Sequence, residues 1–81
     1  DRILTKKVTI KTDKKINIKD GDLDSLKIIS NSQNQTSVSY EKSKMNIEKL
    51  MNFIKKDDIK IVDISTDDGD LEDVFVQLTK H

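Results

Sequence analysis

The chain has 81 residues, which limits it to one domain with a small core. Its formal net charge is zero although 37% of its residues are charged, so it lacks the basic excess that usually marks nucleic-acid-binding proteins, and we expect no nucleic-acid partner. It contains no cysteine, which excludes disulfides and thiolate metal sites, and no apolar run approaches the ~18–20 residues of a membrane-spanning helix.

Two short stretches near the N-terminus, residues 7–12 and 15–19, alternate polar and apolar residues. This period of two is typical of β-strands, and Asp13 and Lys14 between them are suited to turn the chain back on itself. We therefore predict two strands joined by a tight turn. No helical periodicity is visible between Asp13 and Leu26.

Residues 19–25 are rich in turn-forming residues. Gly21 can supply a positive φ, and the neighbouring aspartates can accept hydrogen bonds from nearby backbone N–H groups. Their alternate spacing also raises the alternative of a calcium loop. An EF-hand loop needs glycine at its sixth position and glutamate at its twelfth, where this chain has Ser25 and Asn31. The second acidic stretch, residues 63–73, fails the same test, so we predict no metal ligand in either.

Three further strands are predicted in the rest of the chain. Residues 26–30 and 37–41 have strand composition, and the polar residues 31–36 between them are suited to a hairpin loop. Residues 59–65 again alternate and predict a well-paired strand.

Two segments have apolar residues at helical spacing and predict amphipathic helices, over about residues 46–56 and 70–79. Each begins with a side chain suited to cap the first turn, Asn46 in the first and Asp70 in the second. The apolar positions are Ile47, Leu50, Met51 and Ile54 in the first helix, and Leu71, Val74, Phe75 and Leu78 in the second. Together with the strands, this pattern predicts a small α+β domain in which two helices cover a sheet of four to five mostly antiparallel strands.

The residue types do not support a catalytic role. A phosphate-binding P-loop needs two glycines five residues apart, whereas the only glycines are Gly21 and Gly69. Nucleophile–base catalysis is also not supported, because there is no cysteine and the single histidine is the terminal His81. We predict no catalytic residue, no cofactor-binding residue and no metal ligand, and we expect that this chain by itself is not an enzyme.

The C-terminal stretch resembles a known family. Residues 71–79 resemble the L-E-[DE]-[VI]-F-x-x-L-T signature that ends many ATP-binding subunits of ABC transporters, especially bacterial drug- and peptide-export types. The matching residues are Leu71, Glu72, Asp73, Val74, Phe75, Leu78 and Thr79. The resemblance implies a C-terminal accessory domain with a ferredoxin-like sheet. It also implies that residues 1–81 are a single domain excised from the end of a longer ATPase subunit, whose upstream domain binds ATP and Mg²⁺.

The resemblance further implies which partners this domain contacts. These are its own upstream nucleotide-binding domain or the second copy of the subunit in the dimer and, indirectly, the membrane permease. Such a domain is cytoplasmic and lies at the cytoplasmic face of the membrane. Apolar residues left over from the core would be the first places to look for such a contact, namely Phe53, Val62 and Val76. The alternative is a free-standing small regulatory or ligand-sensing module. This alternative stays open because small-molecule binding sites leave little trace in a sequence.

Overall fold

The computed structural model describes residues 4–67, which form a four-stranded antiparallel sheet with one helix. The elements are β1 (Thr5–Thr12), β2 (Lys27–Asn31), β3 (Gln35–Glu41), α1 (Ile47–Lys55) and β4 (Ile61–Asp67). The strand order is β2-β3-β1-β4, and all three pairings are antiparallel. The predicted α+β domain with four to five mostly antiparallel strands is confirmed over these residues, with four strands.

The predicted strand over residues 15–19 is wrong, because this segment is irregular. β1 is paired with β3 on one side and with β4 on the other, so no position beside it is left for an immediate hairpin partner. The alternation of polar and apolar residues over 15–19 has a different cause. Ile16 and Ile18 are buried in the core, although the segment that carries them has no ladder partner.

Asp13 was predicted to form a turn, but it joins the end of β1 to the start of β4. Its N–H donates to the carbonyl oxygen of Lys60 at 3.1 Å, and its carboxylate accepts from the N–H of Lys60 at 2.9 Å. The amide Nδ2 of Asn34 donates to the carbonyl oxygens of Thr12 and Asp13 at 3.1 and 3.2 Å. These hydrogen bonds hold the end of β1 and the start of β4 together at one end of the sheet.

Residues 13–26 cross from β1 to β2 without regular structure, yet side-chain hydrogen bonds fix them to the sheet. The Nδ2 group of Asn31 in β2 donates to the carbonyl oxygen of Ile16 at 2.9 Å, and the Asn31 Oδ1 accepts from the Thr36 hydroxyl at 2.8 Å. Because Asn31 and Thr36 are direct partners across β2 and β3, they lie on the same face of the sheet. The crossover therefore packs on this face, on the β2 side.

Helix α1 begins and ends where the sequence indicates. The side chain of Asn46 accepts a hydrogen bond from the N–H of Lys49, so Asn46 is the N-cap as predicted. Lys56 is the C-cap, and the chain then leaves the helix through Asp58, which has a φ of 58°. The predicted range 46–56 thus includes the helix and one cap residue at each end. The buried residues of α1 are Leu50 and Ile54.

The hairpin is confirmed, with a tighter loop than predicted, because Asn31 and Gln35 already belong to β2 and β3. The last strand was predicted over residues 59–65, but β4 covers 61–67. Its ladder starts at the pairing of Ile61 with Thr12, beside a bulge. The second predicted helix, residues 70–79, lies outside the described residues. Within residues 4–67, no helix is long and apolar enough to cross a membrane.

The core lies on one side of the sheet, between the sheet and the layer formed by α1 and residues 13–26. Its buried members are Val8, Ile10, Ile16, Ile18, Leu26, Val38, Tyr40, Met45, Leu50, Ile54 and Ile59. Ile10 and Leu50 are both 0% exposed. Within residues 4–67, the opposite face of the sheet contributes none of these residues.

Candidate interaction surface

The two faces of the sheet differ in composition. Val8 and Ile10 of β1 lie opposite Val38 and Thr36 of β3, and all four are buried on the covered face. Successive side chains of a strand point to opposite faces, so the alternate residues lie on the other side. We call that side the open face. Its central part consists of three rows of paired residues: Lys27, Ser39, Lys7 and Asp67; Ser30, Ser37, Thr9 and Ser65; and Gln35, Lys11 and Asp63. Thr5 and Glu41 form a further pair on the same face, beyond the first row.

The middle row places a hydroxyl group on each of the four strands. The Thr9 Oγ1 and Ser37 Oγ atoms are 3.0 Å apart and share a hydrogen bond. Ser37 is buried at the centre of the row, whereas Ser30 and Ser65 on the edge strands are exposed. Hydroxyl groups donate and accept hydrogen bonds, so this row is suited to contact a polar surface.

The outer rows of the open face carry exposed charges in an ordered pattern. Lys7 lies directly opposite Asp67, and Lys11 lies directly opposite Asp63, across β1 and β4. Opposite charges in this arrangement stabilise a strand pair by roughly 0.2–1 kcal/mol. Lys27 on β2 adds a further exposed positive charge at the far edge. The open face is therefore positive on β1 and β2 and negative on β4 and at Glu41 of β3.

Among the described residues β4 is an edge strand, and its outer edge is partly blocked by one of its own side chains. The Asp63 carboxylate accepts a hydrogen bond from the N–H of Ile64 at 2.9 Å, which occupies a donor that an added strand would need. Exposed aspartates on an edge strand also disfavour the pairing of a second strand, because their charges would have to be brought close to that strand. A contact through the open face is therefore favoured over strand addition at this edge.

The acidic turn predicted at residues 19–25 uses its carboxylates as hydrogen-bond acceptors. Asp22 accepts from the N–H of Lys19 at 3.0 Å, and Asp20 accepts from the N–H of Ile28 at 2.7 Å. Gly21 has a φ of 86°, which confirms its predicted turn role. Over residues 4–67, no group of three or more histidine, cysteine, aspartate or glutamate side chains could hold a metal ion.

The residues singled out by the sequence are not brought together in the described structure. The signature-like residues 71–79, including Val76, lie outside the described residues. Phe53 packs partly against the core, and the Lys56 Nζ lies 4.0 Å from the centre of its ring. Val62 is 69% exposed and lies beside the β4 bulge. Of the two described residues proposed for contact, only Val62 is strongly exposed.

Sequence reasoning did not predict the open face. The pattern that could have indicated it is the alternation of serine and threonine with apolar residues, in Val8-Thr9-Ile10, Ser37-Val38-Ser39 and Ile64-Ser65. No protein-family model, curated protein or solved structure matched this chain in comparison. Its function is therefore inferred from its residues and from the geometry of this surface.

Proposed function

We propose that this chain is a non-catalytic accessory domain of the ATP-binding subunit of an ABC transporter. The observation that carries the proposal is the stretch at residues 71–79, where the residue types agree with the signature that ends such subunits. The agreement includes the aromatic residue, Phe75, and the acidic pair Glu72 and Asp73 that precedes it. The domain would lie at the cytoplasmic face of the membrane and reach the permease only indirectly.

The arrangement of the sheet supports this proposal. β3 and β4 flank β1, and α1 connects them across the covered face, which is the arrangement of the second half of a ferredoxin-like domain. β1 and β2 flank β3 in the same way, with the irregular residues 13–26 as their connection. We propose that the fold is a ferredoxin-like variant in which this fixed crossover takes the place of the first helix.

The open face supports a role in domain contact. Interfaces between domains of one chain are more polar than cores, and their charged groups direct specificity. The hydroxyl row around Thr9 and Ser37, with lysines on one side and aspartates on the other, has this composition. We propose that this face packs on the upstream nucleotide-binding domain or on the second subunit of the dimer.

The sequence has no P-loop, since its glycines are only Gly21 and Gly69, so we place nucleotide binding outside this chain in the proposal. ATP and Mg²⁺ would be bound upstream, by the ATPase domain of the same subunit. The accessory domain would act by contact alone. It would stabilise one arrangement of the ATPase dimer and so tune assembly or the hydrolysis cycle.

The proposal predicts that Ser65→Arg disturbs the intact subunit. Ser65 is exposed on the open face, and an arginine there would hold a partner away without removing any core contact. We expect dimerisation to weaken or the ATPase rate to change by about fivefold or more, which corresponds to a contact worth ~1 kcal/mol. The melting temperature should stay unchanged.

The matched control is Asn52→Arg, which places the same side chain on the exposed surface of α1, away from the open face. Asn52→Arg should leave dimerisation and ATPase activity as in the unmodified subunit. Two results would argue against the proposed contact: an unaffected Ser65→Arg subunit, or equal losses in both variants.

A further inference from the structure

The open face can meet a second copy of itself in two orientations that keep the strands aligned. Sheets that pack face to face hold their strand directions within about 30° of each other. A two-fold axis in such an interface runs either across the strands or parallel to them. Because the strand order is β2-β3-β1-β4, the first axis places every strand on the same strand of the partner. The second axis places β2 on β4 and β3 on β1.

Charge disfavours the axis that runs across the strands. β4 would then lie on β4, with Asp63 against the partner's Asp67. In the same way β1 would lie on β1, with Lys7 against the partner's Lys11. All four side chains are exposed on the open face. Like charges brought together across an interface are strongly unfavourable, so this orientation opposes association.

The axis parallel to the strands brings opposite charges together. Lys27 on β2 and Asp67 on β4 belong to the same row and lie at opposite edges of the described sheet. With the axis between β3 and β1, Lys27 of each copy faces the partner's Asp67. The symmetry makes this contact twice. In this orientation the open face is therefore complementary in charge to itself.

The other facing residues are compatible with this orientation. The middle row lies against itself, so that hydroxyl groups meet hydroxyl groups across the interface. Ser30 faces the partner's Ser65, and Thr9 faces the partner's Ser37. Three further charged residues meet uncharged side chains: Lys7 faces the partner's Ser39, Lys11 faces the partner's Gln35, and Glu41 faces the partner's Thr5. Among the paired residues of the open face, no two like charges face each other.

We propose that the open faces of two copies of this domain pack on each other about a two-fold axis parallel to the strands, with Lys27 of each copy against the partner's Asp67. This inference rests on the proposed function, in which the subunit dimer supplies the second copy. It commits the open face to the same face of that copy rather than to the upstream domain. It also assigns the residues that set the orientation.

The size of the open face makes this contact weak between separate chains. Four strands are about 19 Å wide, and the seven residues of β4 are about 23 Å long. The two faces together bury about 900 Å², which is below the ~1,200 Å² at which stable interfaces begin. Two copies tethered in one ATPase dimer meet at a high effective concentration. The contact is therefore suited to form and release as that dimer rearranges.

Self-association of the 81-residue chain measures the contact. We expect the amide NMR shifts of the open face to change with concentration, with half of the change reached below about 1 mM. A short tether supplies an effective concentration in the millimolar range, so a contact that is absent at ~1 mM would not form in the ATPase dimer either. Absence of these shift changes would therefore overturn the proposal.

An exchange of charges identifies the orientation. Lys27→Asp and Asp67→Lys each place like charges opposite each other at both contacts, and each should weaken self-association about fivefold or more. The Lys27→Asp/Asp67→Lys double variant again has opposite charges at both contacts and keeps the net charge of the unmodified chain. It should recover the unmodified affinity within about twofold. A folded double variant without this recovery would contradict the proposed orientation.

The matched control is Lys49→Asp, which makes the same change of charge on the exposed side of α1. It should leave self-association unchanged. If it weakens self-association as much as Lys27→Asp does, net charge alone accounts for the effect and the proposed contact is wrong.

The result can be separated from the proposed function. If the chain does not self-associate while Ser65→Arg still alters the intact subunit, the open face contacts the upstream domain and only the pairing of copies is wrong. If the double variant recovers the pairing but the parent polypeptide has no P-loop, the pairing stands and the assignment to a transporter is wrong.

Discussion

Leu50→Ala should lower the free energy of unfolding by about 3 kcal/mol. Leu50 is fully buried on the sheet-facing side of α1, and truncation removes its apolar contacts and leaves a cavity that the small core can fill only in part. A loss of this size is a large fraction of the stability of so short a domain. Urea denaturation, followed by the midpoint at constant slope, measures it.

The matched control for Leu50→Ala is Lys49→Ala, one residue earlier on the exposed side of the same helix. It changes helix propensity by little and should stay within about 0.5 kcal/mol of the unmodified chain. If Leu50→Ala is no more destabilising than Lys49→Ala, α1 does not pack on the sheet as described.

Asn31→Ala should cost about 2–4 kcal/mol, because it removes both partners that this side chain provides. Its Nδ2 group donates to the Ile16 carbonyl oxygen, and its Oδ1 accepts from the hydroxyl of Thr36, a residue that is only 1% exposed. The Ile16 carbonyl oxygen and the Thr36 hydroxyl would then each lose a hydrogen bond at a site that water reaches poorly. We also expect amide hydrogen exchange to accelerate around Ile16 and Ile18, because the crossover loses its attachment to β2.

Gln33→Ala is the control for Asn31→Ala, since Gln33 is exposed in the same hairpin loop. A double-mutant cycle with Thr36→Val then isolates the coupling between the two side chains, expected at about 0.5–3 kcal/mol. Independent, additive effects of the two substitutions would show that the hydrogen bond between them does not stabilise the domain. Unchanged exchange at Ile16 would show that the crossover is held by its apolar side chains alone.

The sequence predicted best those elements whose determinants are close together in the chain. The helix has its cap at Asn46 and its apolar spacing within ten residues, and the hairpin has its polar loop between two strand-like runs. The predicted bounds of the helix and of the hairpin strands agree with the observed bounds within one or two residues at most ends. Local capping and turn chemistry are sufficient for such elements.

The predictions from sequence failed where the strands or residues that pair are far apart in the chain. Residues 15–19 alternate like a strand, but both edges of β1 are taken by β3 and β4, which come later in the chain. The start of β4 likewise depends on the bonds between Lys60 and Asp13, which are far apart in sequence. Neither choice of partner is encoded in the local pattern, which explains the wrong strand and the shifted one.

The open face could not be derived from the sequence because it depends on register. Thr9, Ser37 and Ser65 are ordinary strand residues when taken one at a time. They form one row only because β1 pairs in this register with β3 and with β4. A shift of one residue would turn each of these hydroxyls to the covered side. The 71–79 stretch suggested a family, whereas the surface suited to contact appeared only with the strand pairings.

We propose that this chain serves an ABC transporter ATPase, and the sequence of the parent polypeptide upstream of Asp1 tests this proposal most directly. We predict a P-loop, a signature loop, a Walker-B carboxylate and a switch histidine within the preceding ~200 residues, about the size of one large domain. An upstream domain without a P-loop, or a natural start close to Asp1, would contradict the claim.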